Sequence, residues 1–262
     1  MVNPHPLDAI GIHMRRLVAI LLLPLACCGE RSPAASSLVE PPARALAAWK
    51  PTLQLADTAL SDGAPAIALR VSDQLLAKNP HNTAALVRRG DALTALGRAS
   101  EAAPTYSTAI QVEPDNTRAL VGLGRLRLAQ DPVAAEGLFA RVAARDPHNA
   151  VALSDLGVAR DMQGHHAAAQ QAYHLALDAA PASIATQVNL GLSMALTGDA
   201  AGAVRLLQPL ANAPDAPPRI RQDLALALTL SGRKNEAVAM MGHDLPPDEL
   251  RSALAGFEAL GP

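Results

Sequence analysis

The eight histidines and two cysteines have the broadest chemical range in this 262-residue chain, and their spacing narrows what they could do. His165 and His166 are adjacent, and His174 follows eight residues after the second, about two helical turns away. A zinc site there would need further ligands, and the chain has neither an HExxH pattern nor spaced cysteine pairs to supply them. It also lacks a GxSxG elbow and a phosphate-binding glycine loop. Cys27 and Cys28 are neighbours, which rules out a disulfide framework. The histidine pair therefore reads as exposed turn residues. The expectation is a non-enzyme with no catalytic residues, no metal and no cofactor.

The elements around the histidines explain their placement. Asn149 to Pro181 carries apolar and small residues at helical spacing, including Leu153, Leu156, Gly157, Ala169, Tyr173, Ala176 and Leu177. Gly164 interrupts the run and Pro181 closes it, so the stretch predicts two antiparallel helices joined by a tight turn. Small residues at Gly157 and Ala169 let the backbones approach, and Tyr173 fills the space beside them. A single hairpin of this kind cannot bury its apolar face, so copies must stack.

The copies are visible in four columns. The turn glycine recurs as Gly63, Gly97, Gly164, Gly198 and Gly232, with Asp131 standing in for the missing one. The small residue of the first helix is Ala56, Gly90, Gly124, Gly157, Gly191 or Ala225. Its partner on the second helix is Ala68, Ala102, Ala135, Ala169, Ala203 or Ala237. The bulky position is Ser72, Tyr106, Phe139, Tyr173, Leu207 or Met241. Closing prolines at Pro80, Pro114, Pro147 and Pro181 end second helices. Asn82, Asp115 and Asn149 are placed to cap the helices that follow. Pro65 and Pro132 sit at helix starts, where proline is welcome, whereas Pro209 predicts a kink or an early end.

A period of 34 with these offsets resembles the tetratricopeptide repeat (TPR). The resemblance implies an all-α solenoid of about six helix-turn-helix repeats over residues 49–251, divided 49–82, 83–116, 117–149, 150–183, 184–217 and 218–251. Trp49 opens the first and packs within it. A C-terminal capping helix over 246–262 overlaps the last repeat, with Leu250, Leu254 and Phe257 as its apolar stripe. Such repeats offer a groove lined by outward positions of the first helices. The candidate peptide-binding residues are Arg88, Asp91, Arg118, Arg125, Asp155, Asn189, Gln222 and Asp223, among the apolar Val87, Val121, Val158, Val188, Leu192 and Leu226. Arg88, Arg118 and Arg125 would make a basic end. TPR modules that clamp a C-terminal carboxylate use a Lys/Asn/Arg set, of which only Asn189 has a match, so no such clamp is expected.

Residues 1–28 read differently. Arg15 and Arg16 precede an apolar run from Leu17 to Ala26, too short to span a bilayer. That is the layout of a secretory signal, and it makes Met14 an alternative start to Met1. Leu25-Ala26-Cys27-Cys28 resembles a bacterial lipobox: Ala26 favours Cys27 as the acylated residue, and Leu25 favours Cys28. Acylation would tether the chain to a membrane surface. Gly29 in place of Asp implies the outer membrane, with the protein facing the periplasm. Residues 29–48, rich in Pro, Ser and Ala, form a flexible linker.

The C-terminal third carries a more specific resemblance. Asn189–Leu210 (NLGLSMALTGDAAGAVRLLQPL) and Pro217–Gly232 (PPRIRQDLALALTLSG), with Asp244-Leu245 following, resemble the TadD family of TPR lipoproteins in tight-adherence (Flp, type IVc) pilus assembly. Asp223 stands where that family often has asparagine. The resemblance implies a non-catalytic adaptor whose partners are pilus or secretin components, with Arg219 and Arg221 as candidate partner contacts. A general periplasmic TPR scaffold for envelope assembly would share every repeat feature. The net charge of −2 and the 2% aromatic content argue against nucleic acid as a partner. Nothing points to a small-molecule substrate.

Overall fold

The computed structural model describes residues 52–242 and 244–260. The signal and lipobox with Cys27 and Cys28, the linker and Trp49 lie outside the described residues.

Among the described residues every regular element is a helix, and there are thirteen. They are α1 (Leu53–Ser61), α2 (Pro65–Lys78), α3 (Thr83–Ala95), α4 (Ala99–Val112), α5 (Thr117–Arg127), α6 (Pro132–Arg145), α7 (Ala150–Asp161), α8 (His166–Ala179), α9 (Ile184–Leu196), α10 (Ala200–Ala211), α11 (Pro218–Leu230), α12 (Lys234–Met241) and α13 (Pro247–Glu258). The chain divides into two compact units between Val142 and Ala143. Within each, consecutive helices pack in order, as in a TPR solenoid.

The turns follow from the glycine column. Gly63, Gly97, Gly164, Gly198 and Gly232 all have φ between 71° and 95°, a left-handed conformation that costs glycine nothing. In each, the residue after the glycine donates its N–H to the carbonyl five residues back, as Arg98 does to Leu93 and His165 to Arg160. This closure satisfies carbonyls left over at the helix end. The turn without glycine is one residue shorter. Asp131 N–H bonds to the Arg127 carbonyl four back, and the Asp131 side chain caps α6 through Ala134 N–H at 3.0 Å.

The starts of first helices are capped by side-chain oxygens. Asn82, Asn116 and Asn149 accept from Ala85, Ala119 and Ala152 N–H at 3.1, 3.0 and 3.0 Å, and Ser183 does the same for α9. The cap of the third hairpin is thus Asn116, one residue beyond the expected Asp115. α2 and α6 begin at Pro65 and Pro132. α10 ends at Ala211, two residues past Pro209, and has 12 residues where α2, α4, α6 and α8 have 14. The helix runs through Pro209, whose missing N–H removes one bond from it without stopping it there. α4 accommodates Pro104 in its interior without breaking.

The small and bulky columns form the core. All six second-helix alanines are fully buried, as are Tyr106, Phe139, Tyr173, Leu207 and Met241. A Cβ added to Gly90, Gly124 or Gly157 would lie 2.5, 2.5 or 2.4 Å from the ring of Tyr106, Phe139 or Tyr173. Each glycine is therefore the seat of an aromatic ring sixteen or fifteen residues later. The last second helix is the shortest of the six. α12 has eight residues, and the chain turns at once into α13, which packs on α11 and α12.

Candidate functional site

In the first unit the inner positions of α1, α3 and α5 carry a chain of alternating charges. Arg88 bonds to Asp57 at 2.6 Å, and Arg118 reaches both Asp57 at 3.4 Å and Asp91 at 2.7 Å. Asp91 also accepts the Tyr106 hydroxyl at 2.5 Å. The Arg88 guanidinium holds the Asp57 carboxyl below its ordinary range, with Arg118 adding to it. Burial pushes Asp91 the other way, against its donors Tyr106 and Arg118. The expected basic end is thereby neutralised, since two of its arginines are bonded to carboxylates of neighbouring hairpins. Asp57 escapes a count of groove positions that begins at the second hairpin; it follows Ala56 as Asp91 follows Gly90. Arg125 is exposed on α5. Val87 is buried, so it packs in the core and does not line a groove.

The second unit places the remaining groove residues differently. Asp155, Asn189 and Asp223 are buried, and so are Val158, Val188, Leu192 and Leu226, while Gln222 is half-buried. These residues face neighbouring helices because each first helix is covered by the next. Asp223 is wholly shielded, and neither of its carboxylate oxygens has a hydrogen-bond partner. Arg221 belongs to the structure too. It holds Asp244 with two nitrogens at 2.7 and 3.1 Å and bonds the Ala216 carbonyl at 2.7 Å, so it ties the loop before α11 to the loop after α12. Arg219 is half-buried one turn before Asp223.

The histidines separate into two kinds. His165 and His174 are exposed. His166, expected in an exposed turn, is half-buried at the start of α8, with Nδ1 2.8 Å from Asp161 Oδ1. Asp161 closes α7 and is buried; it also accepts the Tyr173 hydroxyl at 2.9 Å and the Ser193 hydroxyl at 2.9 Å. The hydrogen bond to Asp161 raises the His166 pKa, and burial raises that of Tyr173. The residue types resemble a catalytic set, but the connectivity does not serve catalysis. Ser193 donates to the carboxylate and not to the imidazole, so no base stands ready to take its proton. The cluster instead fastens α7, α8 and α9 together through one buried carboxylate. Asp161 gives no signal in the sequence because it occupies the last residue of a helix, outside the four columns. Among the described residues no group of three His, Cys, Asp or Glu side chains is placed to hold a metal.

An open cleft of about 550 Å³ lies between α10, α11 and α12. Ala211, Leu224, Leu228 and Met240 line it, together with the Arg221–Asp244 pair. It borders the two shortest second helices, α10 and α12.

Two family models, both of the tetratricopeptide repeat, match residues 59–123 and 150–246. The chain is built of tetratricopeptide repeats. The small–bulky columns and the glycine turns described above are the TPR signature in three dimensions. Solved TPR structures share the architecture. PilW, a widely conserved type IV pilus biogenesis factor, is 19% identical over 77% of this chain and 96% of its own, with a TM-score of 0.67. A thermophilic TPR protein of Thermus thermophilus, TTC0263, is 24% identical over 67% of this chain and 98% of its own, with a TM-score of 0.54. YrrB, a TPR protein with an unusual peptide-binding site, is 12% identical over 72% and 95%, with a TM-score of 0.53. At these identities the likeness is one of fold. No curated protein matches the chain in sequence.

Proposed function

We propose that this chain is a non-catalytic adaptor: a TPR lipoprotein acylated at Cys27 or Cys28, held at the periplasmic face of the outer membrane, that binds components of a tight-adherence (Flp, type IVc) pilus machine, helping its secretin assemble or localise. TPR arrays act as protein-interaction scaffolds, and helix hairpins stacked in a row present extended faces suited to a peptide or a partner helix. The observation that carries the pilus assignment is the segment from Asn189 to Gly232, whose NLGL and PPRIRQDLALALTLSG runs resemble TadD and which folds into α9, α10 and α11. The TPR fold shared with the pilus factor PilW supports the same process.

The exposed charges of the first unit, Arg118 and Arg125, and the half-buried Gln222 of the second remain the candidate partner contacts. The test is capture of the tagged full chain from envelope extracts, with mass spectrometry of its N-terminus. Recovery of a secretin or prepilin together with an acylated cysteine is expected. Recovery of unrelated envelope proteins alone would replace the reading with that of a general scaffold, and an unmodified N-terminus would remove the anchor.

A further inference from the structure

Each unit carries an open cleft at the same place in the repeat. One, of about 410 Å³, lies between α2, α3 and α4, and the other is the cleft of about 550 Å³ between α10, α11 and α12. In the first, Arg89 spans the opening: its Nε donates to Asp73 of α2 at 2.8 Å, and its guanidinium also donates to the Thr105 hydroxyl of α4 at 2.7 Å. Register gives each of these a counterpart in the second. Arg89 precedes Gly90 as Leu224 precedes Ala225, Asp73 follows Ser72 as Gln208 follows Leu207, and Thr105 precedes Tyr106 as Met240 precedes Met241. Leu224 has no polar group with which to bridge, and neither Gln208 nor Met240 carries a charge. The acid on the bank is kept, since Glu101 and Glu236 are bonded alike to Arg98 and Arg233 at 2.7 Å. The second cleft is the first with its internal tie removed, floored by Ala211, Leu224 and Leu228.

What such an opening takes follows from its walls. Each of α10, α11 and α12 lines it with residues about one turn apart, as Gln208 and Ala211 or Leu224 and Leu228 are, so it runs along the helix axes. From Arg221 to Leu228 that is about 10 Å, or about two turns of helix. Its border carries two carboxylates, Glu236 and Asp244, against one guanidinium, Arg221. An apolar trench with a net acidic border complements a helix whose apolar stripe is flanked by Lys or Arg. The inner positions of the same unit offer no such opening, since Asp155, Val158, Asn189, Leu192, Asp223 and Leu226 are buried. We propose that the partner of the second unit docks in this outer cleft as a basic amphipathic helix, its apolar residues seated against Leu224 and Leu228 and its cations against Glu236 and Asp244. This rests on the chain being an adaptor, and it moves the binding face of the unit from the inner side to the outer one.

The probe is a fluorescein-labelled peptide of about 14 residues, built of leucine, alanine and lysine with leucines at i, i+3, i+4 and i+7, beside a twin with glutamate for lysine. Fluorescence anisotropy with the full chain reads binding. The lysine peptide binds, and the glutamate twin binds about tenfold more weakly or worse. Ala239→Arg, at an exposed position on the α12 bank, weakens the lysine peptide by about tenfold or more, and Glu236→Lys does the same should the first variant fold poorly. His174→Arg, which puts the same side chain on an exposed position of α8, leaves binding unchanged. Equal binding of the two peptides, or of neither, overturns the proposal. So does binding that both cleft variants leave intact, or that Gln222→Arg on the inner side weakens instead. Capture from envelope extracts separates the cleft from the adaptor: a secretin or prepilin recovered equally by the wild type and by Ala239→Arg refutes the cleft and keeps the adaptor. A wild type that recovers neither removes the adaptor, and the role of the cleft with it.

Discussion

The Tyr106 hydroxyl reaches Asp91 at 2.5 Å by laying its ring across the backbone of two hairpins. A Cβ on Gly90 of its own hairpin, or on Gly122 of the next, would come within 2.5 Å of that ring. Gly122→Ala is therefore expected to destabilise the chain by about 1–3 kcal/mol through overpacking. Gly137→Ala on α6, where a Cβ meets nothing within 4 Å, should instead stabilise it by about 0.5–1 kcal/mol. Urea unfolding of the two variants checks the contrast, and equal effects would refute the packing account.

Asn116 caps α5 through Ala119 N–H. Asn116→Ala should cost about 1 kcal/mol, read as a lower midpoint in thermal or urea unfolding.

His166 has its pKa raised by Asp161. A group whose folded value lies above its unfolded one adds stability that is complete below the unfolded value and lost as pH rises through the folded value. His166→Gln should thus destabilise the chain at pH 5.5 by about 0.5–1 kcal/mol, since the ring is partly exposed, and by less at pH 9. Denaturant midpoints at both pH values give the test, and an imidazole NMR titration should place His166 above the ordinary histidine value.

Asp223 acts in the same direction with pH, but here it is the charged form that burial disfavours. Its folded pKa of about 7 lies above the ordinary carboxylate value of 3.8. Stability is then greatest below the unfolded value and declines as pH rises from 4 through 7. Asp223→Asn should be more stable than the wild type at pH 8, by an amount on the order of a few kcal/mol, and the gain should vanish towards pH 4. Melting curves across that range measure it, and a variant less stable than wild type at pH 8 would contradict the burial.

Arg221 grips Asp244 and the Ala216 carbonyl. Arg221→Ala should lower the unfolding midpoint modestly, as expected of a partly exposed bidentate pair. An unchanged midpoint with lost partner capture would return Arg221 to the role of a partner contact.

The fold was legible because its determinants repeat. A glycine every 34 residues, a small residue facing a ring, and a proline at the close each announce one geometric need, and six copies separate them from chance. Positions that do not repeat were harder to read. Asn116 displaced Asp115 because caps depend on single-residue register, which a periodic pattern cannot resolve. Asp155, Asn189 and Asp223 fall at outward positions in a count made within one hairpin, yet they are buried in the stack. A pattern within one hairpin does not say what its neighbour hides. Gly122 lies outside the columns for a related reason, since it serves an aromatic side chain from the hairpin before. The ion pairs of Arg88 and Arg221 join residues 31 and 23 apart in the chain, a distance at which sequence shows charge but not pairing.

The five glycine turns share one closure, and a Cβ at any of them would touch nothing within 4 Å. The turns are accordingly mounting points, provided the glycine itself is kept for its positive φ: an epitope, a fluorophore or a crosslinker inserted beside Gly63, Gly97, Gly164, Gly198 or Gly232 would hang clear of its hairpin. A ladder of such reporters, one per hairpin, would show which rung a captured protein shades.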